Sequence, residues 1–258
     1  DIMDRGIGLE AAAAGDELGS SVAGFGDTNG DGLAEVLVAA PKADPLGRID
    51  AGSTYLVRGT SQSARINVSA LTGTAQGFSI AGALVGGNAG HSVAGVGDFN
   101  ADGLPDLLIG GSGIDRSYLV FGAAGSSSLD LSKLVESGRG NAIEGGEFGF
   151  GYDLSPAGDF NGDGTADLLI ASPYFNRDYL LLGRPSGETP SANYTLFSHP
   201  GDAPRQAVGA VGDGSAESMP LARVWIDFRN ASTPGFVAVG DLPGDPFDDY
   251  QLDESSYQ

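Results

Sequence analysis

One unit occurs three times along this chain, and that repetition limits the possible folds more than any single residue does. Each copy opens with a glycine-rich lead-in: GDELGSSVAGFGD at Gly15 to Asp27, GGNAGHSVAGVGD at Gly86 to Asp98, and GGEFGFGYDLSPAGD at Gly145 to Asp159. An acidic nine-residue loop follows, DTNGDGLAE from Asp27, DFNADGLPD from Asp98 and DFNGDGTAD from Asp159. Each loop runs into a short apolar segment (EVLVAAP, DLLIGGS, DLLIASP) and then into a Tyr-led segment ending in glycine (STYLVRG, RSYLVFG, RDYLLLG). Runs this short, apolar and bounded by small residues or proline read as buried strands. The loop starts at 27, 98 and 159 are 71 and 61 residues apart, while the distance from loop start to Tyr55, Tyr118 and Tyr179 is 28, 20 and 20. Eight of the ten extra residues in the first copy therefore fall between Pro41 and Gly52, in a connection, where stacked repeats place their insertions.

The loops read as calcium sites. Positions 1, 3 and 5 carry Asp, Asn and Asp: Asp27, Asn29 and Asp31; Asp98, Asn100 and Asp102; Asp159, Asn161 and Asp163. Their side-chain oxygens can converge on one point, and calcium takes about six to eight such hard ligands. Position 6 is Gly32, Gly103 or Gly164, which supplies the positive φ of a sharp turn without a Cβ clash. Position 7 offers a carbonyl from Leu33, Leu104 or Thr165, and position 9 a carboxylate from Glu35, Asp106 or Asp167. An EF-hand requires a bidentate Glu at position 12 and flanking helices. Position 12 here is Val38, Ile109 or Ile170, inside an apolar run, so neither that motif nor a dockerin-like module fits.

A fourth, worn copy follows. GDAPRQAVGAVGD ends at Asp213, LARVWIDF spans Leu221 to Phe228, and FVAVG at Phe236 to Gly240 occupies the place of the Tyr-led strand. Its positions 1, 3 and 5 are Asp213, Ser215 and Glu217, but Ser218 replaces the turn glycine and Leu221 the last carboxylate. A competing register places weak metal candidates at Asp241, Asp245 and Asp249, with Pro243 in place of Asn and Pro246 in place of Gly.

The order FG or VG, then DxNxDG, then an apolar strand ending in AAP or ASP resembles the FG-GAP repeats of the integrin α-subunit β-propeller and of many bacterial surface proteins. Phe25 and Gly26 with Ala39, Ala40 and Pro41 carry it best, and Ala171, Ser172 and Pro173 carry it well. The second copy departs, with Val96 for Phe and Gly110, Gly111 and Ser112 at the strand end. The resemblance implies an all-β propeller in which each repeat is a four-stranded blade and the loops bind calcium on one face. It covers residues 6–60, 75–123 and 140–184 as regular repeats and 193–240 as a degenerate one; residues 241–258 are an acidic tail or a degenerate fifth loop. Family members close with seven blades, whereas 258 residues hold about four. A small ring and a part of a larger or multi-chain propeller both fit, and the exposed edges of an open ring favour completion by further chain or another subunit.

Composition agrees. The 43 glycines and 13 prolines suit short strands and tight turns, and 41% hydrophobic residues suffice for a core. A net charge of −21 disfavours nucleic acid and anionic membranes as partners. Three divalent ions add six charges and bring −21 to −15. Without cysteine there is no disulfide, so calcium is the expected stiffener outside the cell. At roughly millimolar calcium a site of about 0.1 mM affinity adds about 1.4 kcal/mol, and three such sites about 4 kcal/mol. No run is long enough to span a bilayer and no apolar leader is present, so an exported chain is expected in mature form, extracellular, at the cell surface or periplasmic.

No catalytic constellation emerges. Thiol chemistry is excluded, and no GxSxG elbow or P-loop occurs. His91 occupies the repeat position of Ser20 and lies far in sequence from His199. The clustered acids belong to the loop pattern rather than to a glycosidase pair. Tyr55, Tyr118 and Tyr179 read as packing, as does Trp225; Asn67, Asn193 and Asn230 begin sequons that chance readily supplies. The expectation is a non-enzymatic, calcium-stabilised extracellular module for protein–protein interaction or adhesion. The alternatives are a carbohydrate-binding lectin-like propeller and an accessory domain of a secreted polysaccharide-active enzyme.

Overall fold

The computed structural model describes residues 6–61, 64–123, 127–145, 149–175 and 177–183, with the strand segments 194–197, 208–210, 223–227 and 235–239. Strands and single 3-10 turns make up the regular structure of these residues, and no α-helix occurs among them. In chain order the first seven strands are β1 (Ile7–Glu10), β2 (Ser21–Gly26), β3 (Glu35–Ala40), β4 (Ser53–Val57), β5 (Ala64–Asn67), β6 (Thr72–Thr74) and β7 (Gly77–Ala81). Next come β8 (Ala89–Gly97), β9 (Asp106–Gly111), β10 (Arg116–Val120), β11 (Leu129–Asp130), β12 (Gly140–Glu144), β13 (Asp153–Gly158), β14 (Asp167–Ser172) and β15 (Arg177–Leu181). The last four are β16 (Tyr194–Phe197), β17 (Val208–Ala210), β18 (Arg223–Asp227) and β19 (Gly235–Val239).

The glycine lead-in, the apolar run and the Tyr-led run of each copy become the first, second and third strands of one antiparallel meander. In the first blade β2-β3-β4-β7 are successive neighbours, in the second β8-β9-β10-β12, and in the third β13-β14-β15. The Tyr sits at one register each time, with Val38 opposite Tyr55, Ile109 opposite Tyr118 and Ile170 opposite Tyr179. All three tyrosines are buried, as the packing reading expects. Blades stack face to face. Phe25, Leu37, Leu56 and Ile80 of the first meet Val93, Leu107, Ile109 and Tyr118 of the second. Leu108, Leu119 and Ile143 of the second meet Leu154, Leu168, Ile170 and Tyr179 of the third. Burying such side chains stabilises by about 1.5–3 kcal/mol each, which makes the blade interfaces the main source of cohesion. Hydroxyls tie neighbouring first strands: Val93 N donates to Ser21 Oγ (3.0 Å), and Leu154 N to Ser92 Oγ (3.1 Å).

A β-bulge interrupts each first strand at the same place, between Gly24 and Gly26, Gly95 and Gly97, and Pro156 and Gly158. Gly26, Gly97 and Gly158 take φ of +73°, +81° and +70°, the left-handed conformation that a glycine allows at a bulge. This kink turns the chain out of the sheet and into the acidic loop while Phe25 or Val96 stays buried. The longer connection of the first copy forms a 3-10 turn at Pro45–Gly47 and braces the next lead-in. Gly86 N, Asn88 N and Ala89 N donate to the carbonyls of Ile49, Asp50 and Ala51 at 2.8, 2.9 and 2.9 Å. Arg48 holds Asp130 with two bonds of 2.8 and 2.6 Å and donates to the Gly82 carbonyl.

Candidate metal centre

All three acidic loops connect a first strand to a second, so they lie at one end of the blades. In each, the position-1 carboxylate gathers backbone N–H groups. Asp27 accepts from Gly30 N (2.7 Å) and Asp31 N on Oδ1 and from Gly32 N (2.8 Å) on Oδ2. Asp98 accepts from Asp102 N (3.0 Å) and Gly103 N (2.8 Å). Asp159 accepts from Gly162 N (2.8 Å), Asp163 N (3.0 Å) and Gly164 N (3.0 Å). The position-3 amide closes a smaller ring, with Asn29, Asn100 and Asn161 accepting from the position-5 N–H and donating to the position-5 carboxylate. Position 5 then takes the N–H of position 7: Leu33, Leu104 or Thr165, each at 2.8 Å. Gly32, Gly103 and Gly164 have φ of +84°, +87° and +91°, as the sequence requires of position 6.

The N–H of Gly32, with the other loop amides, holds Asp27 below the ordinary carboxylate range, and the Thr165 hydroxyl does the same for Asp163. These loops therefore present ionised oxygens, which suits a hard divalent cation. Position 4 is Gly30 and Gly162 at φ of +76° and +77°, but Ala101 in the second loop, at φ of +55°. An alanine there carries the steric cost of the left-handed region, roughly 1–2 kcal/mol.

Position 9 does more than the sequence suggests. Asp106 is buried, and its two oxygens accept from Phe99 N (2.9 Å) at the loop entrance and Gly122 N (2.8 Å) at the end of the third strand. Asp167 does likewise with Phe160 N and Gly183 N, both at 2.7 Å. The carboxylate thus clips the loop to the far end of its own blade. Burial pushes Asp106 up to about 7. The glycines that supply the second N–H have no room for a side chain. A Cβ on Gly122 would lie 2.5 Å from Pro105 O and 2.8 Å from Leu104 Cβ, and one on Gly183 would lie 2.4 Å from Ala166 O.

The first loop differs because its position-9 acid is a glutamate. Glu35 Oε2 accepts from Thr28 N, but Oε1 is buried and has no hydrogen-bond partner. Asp27, Asp31 and Glu35 bring carboxylate oxygens within 4.8 Å of one another. A buried anionic oxygen without a donor is costly and is the kind of group a cation would satisfy. The donor set therefore fits calcium best in this loop. In the second and third loops the position-9 oxygens already hold backbone donors, so a cation there would share them or rely on positions 1, 3, 5 and 7.

The alternative candidates Asp241, Asp245 and Asp249, and the worn loop of Asp213, Ser215 and Glu217, lie outside the described residues, as do His199, Asn193 and Asn230 and the tail 241–258.

Stacked antiparallel meanders, each with a bulged first strand and an acidic loop before its second, define an all-β protein built of propeller-type blades. The FG-GAP repeat family matches residues 150–188, so the chain carries an FG-GAP repeat, and over longer stretches it is similar to integrin α subunits. It is 34% identical over 154 residues to phosphatidylinositol-glycan-specific phospholipase D of Bos taurus, covering 57% of this chain. It is 34% identical over 126 residues to integrin alpha-IIb of Mus musculus, covering 42% of this chain, and 32% over 174 residues to integrin alpha-7 of Rattus norvegicus, covering 63%. The matched stretches span 18%, 12% and 14% of those relatives' own lengths.

Proposed function

We propose that this chain is a calcium-stabilised, extracellular blade module that presents its loops to a protein partner. The observation that carries the metal part is the first loop, where Asp27, Asp31 and Glu35 converge and Glu35 Oε1 is buried without a donor. Calcium there ties the first strand of a blade to its second and offsets the mutual repulsion of the acids. Weak sites of this kind fill at extracellular calcium levels and stay empty in the cytosol, which supports an exported location.

The partner part rests on the opposite end of the blades. Leu46, Ile49, Leu84, Val85, Tyr152 and Tyr174 are exposed there, on connections that follow second and fourth strands or precede first strands. Tyr152 packs against His91 with the rings tilted by 58° and their centroids 4.6 Å apart, and meets Tyr174 edge-on at 5.7 Å between ring centroids. A contiguous patch of exposed apolar groups marks an interaction surface, and the mutually touching rings of His91, Tyr152 and Tyr174 are the contiguous part of this one.

The similarity to a phosphatidylinositol-glycan-specific phospholipase D supports a second reading, in which the same module accompanies a hydrolase as a non-catalytic domain. Both readings share the test. Calcium added to EGTA-stripped protein should bind and raise its Tm, and Asp27→Ala with Asp31→Ala should abolish the first site. Absence of binding and of any Tm response would remove the proposal.

A further inference from the structure

Beyond the proposed metal and partner roles, the acidic loops carry a second chemistry, one that sets the second copy apart from the other two. Of the chain's asparagines only Asn29 and Asn161 precede a glycine; the equivalent Asn100 precedes Ala101. An asparagine followed by glycine is open to attack on its own side chain. The backbone N of the next residue loses its proton to a solvent base and bonds to the asparagine Cγ, the Cγ–Nδ2 bond breaks, and ammonia leaves. Water then opens the resulting succinimide at either carbonyl, giving aspartate or isoaspartate, so one water enters for each ammonia lost. Glycine leaves the attacking nitrogen unhindered and the backbone free to reach the ring geometry, whereas the Cβ of an alanine obstructs it.

Asn29 and Asn161 are both exposed, so base and water reach them. The folded loop nevertheless occupies the reacting groups. Asn29 Oδ1 accepts from Asp31 N and its Nδ2 donates to Asp31 Oδ2, both at 2.9 Å. Asn161 makes the same pair of bonds with Asp163, at 3.0 and 2.7 Å. The attacking nitrogens are engaged as well: Gly30 N donates to Asp27 Oδ1 (2.7 Å) and Gly162 N to Asp159 Oδ1 (2.8 Å). Attack requires the carboxamide to leave position 5 and the glycine N–H to leave position 1. Hydrogen bonds to carboxylates are the stronger kind, so a closed loop suppresses the reaction and an opened loop permits it.

Ala101 is the independent sign. Asn100 makes the same ring, accepting from Asp102 N and donating to Asp102 Oδ2, both at 3.0 Å, so the second loop differs at the residue that would attack. A Cβ on Gly30 or Gly162 would meet nothing within 4 Å. Packing therefore does not demand glycine at position 4, and the loop closes with alanine there at φ of +55°. We propose that Asn29 and Asn161 are modification sites, masked by the closed loop and converted when it opens, and that Ala101 withholds the second loop from the same conversion. The steric cost of Ala101 is then offset by resistance to hydrolysis. Conversion is irreversible for the loop. A carboxylate replaces the Nδ2 donor and faces the carboxylate of Asp31 or Asp163, and isoaspartate inserts a methylene into the backbone, which displaces the N–H groups that positions 1 and 3 collect.

Ageing the full-length chain in mildly alkaline, metal-free buffer, once folded below its Tm and once unfolded in guanidinium chloride, tests this independently of calcium. Peptide mapping by mass spectrometry reads a gain of one mass unit at each converted asparagine, and electron-based fragmentation separates isoaspartate from aspartate. In the unfolded chain Asn29 and Asn161 should convert several-fold faster than Asn100, and folding should slow both by about tenfold or more. In the unfolded Ala101→Gly chain, Asn100 should convert as fast as the other two, an arm that needs no folded variant. Equal rates at Asn29, Asn161 and Asn100 in the unfolded parent, an Asn100 that stays slow in Ala101→Gly, or rates that folding leaves unchanged would overturn the proposal.

Discussion

The glycine that ends each third strand is the position where a single added methyl should do most harm. In the Gly122→Ala chain the new Cβ would sit 2.5 Å from the Pro105 carbonyl and 2.8 Å from Leu104 Cβ. Both neighbours belong to the loop base, so relief requires moving the loop rather than rotating a side chain. Overpacking of this kind costs about 1–3 kcal/mol. The displacement also weakens the bond from Gly122 N to Asp106 Oδ1, at 2.8 Å, and a bond to a buried carboxylate contributes about 1.5–3 kcal/mol. Together the loss is about 2.5–6 kcal/mol, which for a chain of this size lowers Tm by roughly 5–24 °C. With the proposed calcium taking the Leu104 carbonyl at position 7, affinity at the second loop should fall in parallel. Thermal unfolding with and without calcium, alongside calorimetric titration, measures both effects. A variant within about 2 °C of the parent and with unchanged affinity would refute the clip.

Ala101→Gly should stabilise the second loop by about 0.5–1 kcal/mol, because φ of +55° is strained for alanine and natural for glycine; urea unfolding checks it. Asp106, raised by burial to about 7, is protonated below that pH in the metal-free fold, whereas the unfolded chain releases the proton near pH 4. That stabilisation is full below pH 4 and is lost as pH rises through about 7. Protons would compete with the proposed calcium at the second loop, and affinity there should climb between pH 5.5 and 7.5, as titrations across that range would reveal. Arg48→Ala should cost about 1–3 kcal/mol by removing two charge-assisted bonds to half-buried Asp130. Asp130 is held down to about 2 by that guanidinium, so its contribution is present above pH 4 and fades as pH falls towards 2.

Much of this was legible in the residues because the blade is a local unit. The apolar runs after Glu35, Asp106 and Asp167 became second strands, the Tyr-led runs became third strands, and the turn glycines took the positive φ assigned to them. Other features depend on contacts between segments. That position 9 clips the loop to Gly122 or Gly183 follows from folding the third strand back beside the second, a pairing no local pattern states. The outer parallel strands β5 and β11 are too short for a periodic pattern, although a local signal accompanies them. Asn67 and Asp130 cap the 3-10 turns after them by accepting from Ser69 N and Ser132 N, and NVSAL and DLSKL repeat that cap in sequence. The extra residues between Pro41 and Gly52 form a connection, as the spacing predicts, but their bracing of the next lead-in through Ile49, Asp50 and Ala51 depends on contacts between blades that no local pattern states.

The central claim is that the acidic loops are calcium sites which stabilise the fold. Thermal unfolding with and without excess EGTA, with bound calcium counted by elemental analysis of the same sample, tests it most directly. Three weak sites worth about 4 kcal/mol in total should appear as about three ions per chain and a Tm lower by roughly 8–16 °C after chelation. A chain that carries no calcium and melts at the same temperature in EGTA would contradict the claim and leave the loops as hydrogen-bonded turns alone.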